Sequence, residues 1–364
     1  MSVSSHDRRY MAAAMRLSRW HTGLTATNPS VAALVVKDGA IVGRAVTAPG
    51  GRPHAETQAL SQAGEKARGA TLYVTLEPCS HHGRTPPCAD AIVASGIARV
   101  VVSLTDPDPR VSGRGLAILR EAGIAVESGV MEEEGRRVLA AYLMRQTRGR
   151  PQVTLKLAVS ADGMIGRRDA GQVAITGPAA RAQSHSLRAE MDAILVGIGT
   201  ALADDPELTC RAPGLEARSP LRVVLDRRLA LPLTSKLART ARDVPVLVAS
   251  VAQSPAVRGD LQPRRVGLTA ADVEVLESET LATLLNTLAA RGVSSLLVEG
   301  GAGVAKSFLD AGLVDHILLY EGAVTVGADG LASPLTRADI PAGFRLLREV
   351  AFGPDRLSEY ERSS

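Results

Sequence analysis

Apolar residues recur at helical spacing from Asp7 to Arg19, where Tyr10, Met11, Ala14, Met15 and Leu17 share one side, and this predicts a first helix. The period then shortens. Val31 to Lys37 and Ala40 to Ala45 read as strands, and Asp38-Gly39 between them predicts a β-hairpin. Helical segments follow at His54–Ala63, at Pro87–Ser95 before Gly96, and at Gly113–Ala122 before Gly123, with glycine supplying the C-terminal stop in the last two. Strands are predicted at Thr71–Leu76 and Arg99–Leu104. A hairpin followed by a βαβα order makes this half an α/β layered domain.

Arg145 to Pro151 (Arg-Gln-Thr-Arg-Gly-Arg-Pro) is a polar stretch and the expected connection between two domains, residues 1–148 and 149–364. Beyond it the alternation restarts. Strands are predicted at Val153–Ser160, Ala193–Gly197, Leu221–Leu225, Val244–Ala249, Leu296–Glu299 and His316–Tyr320, with helices at Pro178–Ala189, Thr280–Arg291 and Gly303–Ala311. This is a second α/β domain with its own core. A chain of 364 residues, 45% apolar and 22% charged, is long enough for two such cores.

Charge and cysteine content narrow the class. The net charge of +4 comes from arginines scattered along the chain, with no like-charge block and only 2% aromatic residues. A nucleic-acid surface is therefore not expected, whereas isolated pockets for phosphorylated small molecules are. Three cysteines make no disulfide framework, and no apolar run approaches a membrane span, so a reduced cytoplasmic protein without a membrane partner is expected.

One constellation carries chemistry. His54-Ala55-Glu56 opens a predicted helix, Glu77-Pro78-Cys79 follows a strand, and Cys88 lies nine positions further on. One imidazole and two thiolates fill three tetrahedral positions of a zinc ion and leave the fourth open for water, as catalytic rather than structural sites do. Glu56, two residues after His54, can move protons without ligating. Each residue alone reads as well as a buried histidine or an inert thiol; the ordered set points to a zinc deaminase, with a wider cysteine gap than the usual two intervening residues. Cys210 has no neighbouring ligands in sequence and is read as an unreactive thiol. In the second half, Leu296-Leu-Val-Glu-Gly-Gly-Ala-Gly303 is an apolar strand running into a glycine turn and a helix. That is either an anion site or a tight packing turn, and it lacks the Rossmann glycine order.

The run Tyr73-Val-Thr-Leu-Glu-Pro-Cys-Ser-His-His-Gly-Arg-Thr-Pro-Pro-Cys88, with Asn28-Pro29, Thr105-Asp-Pro-Asp-Pro109 and Gly113-Arg-Gly115, closely resembles the bifunctional riboflavin-biosynthesis deaminase–reductase family. Leu155-Lys-Leu-Ala-Val-Ser-Ala-Asp-Gly163, Thr200-Ala-Leu-Ala-Asp-Asp-Pro206 and Val298-Glu-Gly-Gly301 extend the resemblance to the second half. It implies a cytidine-deaminase-like α/β/α domain followed by a dihydrofolate-reductase-like α/β domain. The first would use one Zn²⁺ to deaminate 2,5-diamino-6-ribosylamino-4(3H)-pyrimidinone 5′-phosphate; the second would use NADPH to reduce the ribosyl group to ribityl. The family also implies a homo-oligomer, a dimer or a tetramer.

Carried over by position, Asn28 would contact the pyrimidine or ribose of the deaminase substrate, and His81 and Arg84 its phosphate. NADPH would be bound by Ala158, Thr200, Asp204 and the turn Gly301, Ala302, Gly303, Val304, Ala305, Lys306 and Ser307. Arg188, Leu208, Arg211 and Glu299 would bind the sugar phosphate, and Lys156 would either polarise the ribose carbonyl or bind phosphate. Three positions depart from the pattern: Gln172 replaces a substrate-contacting serine, Ala174 a tryptophan packing on the cofactor, and Arg227 a small hydroxyl near it. Arg227 is then either a partner for the 2′-phosphate of NADPH or surface charge. These departures leave a deaminase-only enzyme with a degenerate second domain as one alternative, and the shared zinc motif leaves an RNA-editing module as another.

Overall fold

The computed structural model describes residues 4–81, 86–168, 171–251 and 255–363, and the chain divides into two compact units, Met1–Gly149 and Arg150–Ser364. In the first, α1 (Ser5–Ser18) precedes the hairpin β1 (Ala32–Lys37) and β2 (Ala40–Val46). Then come α2 (Ala55–Ala63), β3 (Thr71–Leu76), α3 (Cys88–Ala94), β4 (Arg99–Leu104) and α4 (Arg114–Glu121). The unit closes with β5 (Ala125–Ser128), α5 (Glu132–Val138) and α6 (Ala140–Arg148).

The sheet order is β2-β1-β3-β4-β5, antiparallel through the hairpin and β1/β3, parallel thereafter. Strand periodicity of two decides which side chain faces which layer. Ala33, Val35, Leu72, Val74, Val100 and Val102 pack under α2, α3 and α4. Their alternates Ala32, Leu34, Val36, Tyr73 and Val101 pack under Met11 and Met15 of α1. Both faces are covered, which is the α/β/α layering.

Asp7 ties α1 to the sheet. It completes a capping box with Ser4, accepts two bonds from Arg99 at 2.7 and 3.1 Å, and accepts a third from the Tyr73 hydroxyl at 2.9 Å. The Arg99 guanidinium holds its carboxyl well below the usual range. Because the folded state prefers the ionised form, this stabilisation is present above the ordinary aspartate pKa and is lost as pH falls below about 4. Asp7→Asn is expected to cost about 3 kcal/mol, read as a lower denaturant midpoint, and to abolish that acid-side decline.

The second unit contains β6 (Gln152–Val159), β7 (Met164–Arg167), α7 (Pro178–Ala189), β8 (Ala193–Gly197), α8 (Ile198–Asp204) and β9 (Leu221–Leu225). After these come α9 (Lys236–Arg239), β10 (Val246–Val251), α10 (Pro255–Ala270), β11 (Val273–Ser278) and α11 (Leu281–Ala290). It ends with β12 (Ser295–Glu299), α12 (Ala302–Asp310), β13 (His316–Glu321), β14 (Gly330–Ala332), β15 (Phe344–Phe352) and β16 (Asp355–Arg362).

The nine-stranded sheet runs β11-β10-β9-β8-β12-β6-β13-β16-β15; β11 through β13 are parallel, and β16 and β15 add antiparallel. Strands buried on both faces read as continuous apolar runs, as Ala193–Gly197 and Leu296–Val298 do. The carboxyl ends of β8, β12 and β6 lie side by side, and in open α/β sheets that edge is where ligands bind.

Two sequence expectations change. Residues 145–148 are the last turn of α6, stopped by Gly149 at φ 66, not an irregular connection. The pattern also passed over β5, α5, α6, β7, α8, α9, α10, β11, β14, β15 and β16.

Candidate active sites

His54 is the N-cap of α2, Cys79 lies three residues past β3, and Cys88 is the first residue of α3. Three local rules, a helix start, a strand end and a second helix start, thus aim three donors at one point. Nδ1 of His54 lies 3.6 Å from Sγ of Cys79 and 3.3 Å from Sγ of Cys88, and the three ligand atoms fall within 4.8 Å of one another. Tetrahedral zinc with ordinary bond lengths separates N and S by about 3.6 Å. The donor set fits zinc. Without a cation the two thiols oppose each other's ionisation: a hydrogen bond from Cys88 pulls the Cys79 pKa down, while the same contact and burial push Cys88 up. A divalent ion lets both ligate as thiolates. Chelation is expected to abolish deamination while leaving NADPH oxidation intact, with metal content and both activities measured on one sample.

Glu56 lies in the first turn of α2 and is buried at 3% exposure. Burial raises its pKa, and its carboxyl engages the Cys88 thiol. It shares with His54 and Cys79 a cavity of about 700 Å³, also lined by Asn28 and His81. His81 keeps a buried Nδ1 without a hydrogen-bond partner among the described residues. Arg84 lies outside the described residues.

The cavity gives roles to motif residues that the sequence left without one, and adds Arg110, Tyr142 and Arg145. Glu77 accepts four backbone N–H bonds, from Asp106, Gly113, Gly115 and Leu116, at 3.0 to 3.3 Å. One carboxylate thereby fastens the strand that leads to Cys79 to the loop preceding α4. Gly115 is required there, since a Cβ would stand 2.1 Å from the carbonyl oxygen of Pro78. That loop brings Asp106, Asp108 and Arg110 to the cavity, and α6 adds Tyr142 and Arg145. Arg110, and more weakly His81, holds the Asp108 carboxyl below its usual range. The Asp-Pro-Asp-Pro-Arg run was visible in sequence; nothing in the local pattern of Tyr142 or Arg145 pointed to the cavity.

In the second unit the structure brings Lys156, Arg188 and Glu299 together. Lys156 and Glu299 are paired across β6 and β12, and Arg188 of α7 forks onto Glu299 at 2.9 and 2.8 Å. Burial works to raise the Glu299 pKa, but Arg188 and then Lys156 bring it down to about 2. Burial also lowers the pKa of Lys156, whose Nζ stands 5.5 Å from the Tyr320 ring centroid.

Thr200 packs against the glycine turn: Cβ atoms built on Gly300 and Gly301 would meet its side chain at 3.4 and 2.9 Å. Both glycines have φ 77, and Gly301 caps α12, which begins at Ala302 and continues through Gly303, Val304 and Ala305. Lys306 is engaged by Asp310, and the Ser307 hydroxyl donates to the Gly303 carbonyl, both within α12. Asp204 ends α8, and burial raises its pKa. Ala158 lies on β6.

The loop from Leu208 to Arg211 is joined to α7: Arg188 Nη1 donates to the carbonyl of Thr209 at 3.1 Å, and the backbone N–H of Arg211 donates to His185 Nδ1 at 3.3 Å. Arg211 pairs with Glu207 at 2.9 Å, and Leu208 is buried in a positive-φ turn at φ 57. Gln172 and Ala174 are exposed before α7, and Arg227 is exposed past the end of β9. Cys210 is buried and its thiol donates to the carbonyl of His185.

Fold and site together define a zinc-dependent deaminase domain joined in one chain to an α/β domain with a charged cluster of Lys156, Arg188 and Glu299 at its strand ends. The comparisons agree half by half. The cytidine and deoxycytidylate deaminase zinc-binding region matches residues 4–104, and the RibD C-terminal domain matches residues 151–356. The riboflavin biosynthesis protein RibD of Aquifex aeolicus is 41% identical over 326 residues, covering 90% of this chain and 89% of that protein. Its Escherichia coli counterpart is 40% identical over 375 residues, covering 96% and 97%. Acinetobacter baumannii RibD superposes with a TM-score of 0.85 at 36% identity, over 98% of this chain and 99% of that one. A Thermotoga maritima deaminase/reductase structure gives 0.83 at 34%, again over 98% and 99%.

The chain belongs to the RibD family, the bifunctional deaminase–reductases of riboflavin biosynthesis. It carries a zinc-binding deaminase domain and a reductase domain of the NADPH-using RibD type, so the deaminase-only alternative gives way. Among the described residues no helix is long and apolar enough to cross a membrane.

Proposed function

We propose that the chain converts 2,5-diamino-6-ribosylamino-4(3H)-pyrimidinone 5′-phosphate to its deaminated product and then reduces the ribosyl group to ribityl. The observation that carries the reading is the union of His54, Glu56 and Cys79 in one cavity, with Cys88 Sγ 3.3 Å from His54 Nδ1 to complete the ligand set, in a chain whose second half is the RibD reductase domain. His54, Cys79 and Cys88 hold zinc, which when bound supplies the Lewis acidity that makes water a nucleophile near neutral pH. Hydrolysis exchanges the exocyclic amine for oxygen. Glu56 takes a proton from the attacking water and gives one to the departing amine, which leaves as ammonia. Asn28 and His81 hold the substrate in the cavity, and Arg84 is part of the same phosphate grip.

In the second unit the proposed cofactor path runs over Ala158, Thr200, Asp204 and the turn from Gly301 to Ser307, with Arg227 toward the 2′-phosphate. NADPH when bound supplies the hydride; the protein's task is to position the sugar carbon against it and exclude competing chemistry. The sugar phosphate falls to Arg188, Leu208, Arg211 and Glu299. Lys156, seated between the carboxylate of Glu299 and the ring of Tyr320, polarises the ribose carbonyl. Gln172 and Ala174 remain part of this proposed surface despite departing from the family pattern. A cytoplasmic setting, read from the cysteine content and the lack of a long apolar run, and a homo-oligomer, which the family resemblance implies, belong to the same proposal.

Purified zinc-loaded protein incubated with the diaminopyrimidinone phosphate is expected to raise its mass by about one dalton, and with NADPH by about two more. A first gain without the second would remove the reductase assignment; no gain at all would remove the whole reading.

A further inference from the structure

The deaminase cavity, at about 700 Å³, lies within the range of about 300–1,000 Å³ for pockets that enclose a whole small molecule. It has room for a nucleobase together with its phosphoribosyl arm. Its acidic groups are held by named partners. Glu77 is surrounded by four backbone N–H groups, and Asp108 is forked by Arg110 through Nε at 3.0 Å and Nη2 at 2.5 Å. Asp106 accepts from the Tyr142 hydroxyl on both oxygens, at 3.0 and 3.2 Å, and burial raises its pKa.

Two arginines line the same cavity outside the Asp108 pair. Arg52 lies two residues before His54 and close enough to oppose its protonation, so it stands at the metal end. Arg145 stands elsewhere. It projects from the last turn of α6, its guanidinium carbon 5.9 Å from the centroid of the Tyr142 ring, and Nη2 donates to the carbonyl of Thr27, the residue before Asn28. Tyr142 and Arg145 are three residues apart on α6 and therefore share a face. That face closes the cavity between the loop of Asn28 and the loop of Asp106. The guanidinium lies over the Tyr142 ring and is braced by the Thr27 carbonyl, and a planar fork held in place in this way binds phosphate through paired N–H bonds.

We propose that Arg145 is a phosphate-binding, specificity-determining residue of the deaminase site. It receives the 5′-phosphate of the substrate at the wall formed by α6, in addition to His81. This rests on the deaminase reading above. The guanidinium selects the phosphorylated substrate over the corresponding nucleoside, and Tyr142, pinned by Asp106, sets its position.

The test uses the full zinc-loaded chain and two substrates, the diaminopyrimidinone ribosyl phosphate and the same compound after phosphatase treatment. Wild-type protein deaminating neither would refute the deaminase reading and this proposal with it. With wild-type turnover established, the ratio of kcat/KM for phosphorylated over dephosphorylated substrate is expected to fall at least ten-fold in Arg145→Gln. The fall should reside in KM, and Arg145→Lys, which keeps the charge but loses the fork, should recover part of it. One zinc per chain, together with an unchanged denaturant midpoint of the Met1–Gly149 unit, reports that each variant is folded. An equal loss on both substrates shows a structural staple between α6 and the Thr27 loop and overturns the proposal, as does an unchanged ratio.

Discussion

Glu56→Gln is expected to keep one zinc per chain and to lose deaminase turnover by about 10²–10⁴-fold, the usual contribution of a positioned general acid–base group. The metal should stay because the three ligand atoms come from His54, Cys79 and Cys88, and Glu56 supplies none of them. The fold should stay because glutamine has nearly the shape of glutamate, at a position only 3% exposed in the first turn of α2. What the amide cannot do is accept a proton and pass it on. Cys88→Ser provides the contrast, since it removes a thiolate ligand and should lose metal and deamination together. Zinc stoichiometry measured beside turnover separates the two. A fully active Glu56→Gln protein would take Glu56 out of the mechanism.

The zinc set was legible in sequence for a physical reason. Each ligand sits at a boundary that local rules mark: His54 before a helix, Cys79 just after an apolar strand, Cys88 at the next helix start. Asn28, His81 and the run holding Asp106 came through the family resemblance, whereas Tyr142 and Arg145 were not legible, because they reach the cavity only through the path of α5 and α6. Arg145 stands in a stretch whose composition reads as a linker, and only its place on α6 shows the face it shares with Tyr142. Elements were missed for similar reasons. The helix α10 contains Gly259 and Pro263, both signals against a helix interior. The burial pattern of β15 loses its alternation where the register shifts between Leu346 and Arg348, so period-two counting fails there. In the second unit the family resemblance grouped Arg188 and Glu299 at the sugar phosphate and put Lys156 at the same ligand, but it gave no contact among the three. Their union depends on β12 inserting between β8 and β6, which no local pattern states.

That union sets up the second large effect. Glu299→Gln is expected to lower the stability of the Arg150–Ser364 unit by about 3–5 kcal/mol, because it leaves two buried cations without their anion. The carboxyl of Glu299, with a pKa brought down from 4.5 to about 2, favours folding fully above the unfolded value and progressively less as pH falls toward 2. The glutamine variant should lack this acid-side loss. Denaturant titrations at pH 7 and at pH 3 should therefore show the gap between wild type and variant narrowing at the lower pH. NADPH oxidation should be lost while deamination survives.

Loss of stability alone does not show that the charges are there for stability, since taking three ions out of water costs as much as their attraction returns. Replacing Lys156, Arg188 and Glu299 together by methionine separates the two causes. If the cluster exists to bind and polarise the sugar phosphate, the triple variant should recover most of the midpoint lost in Glu299→Gln and none of the reductase turnover. Recovery of both would show that the second unit does its chemistry without them.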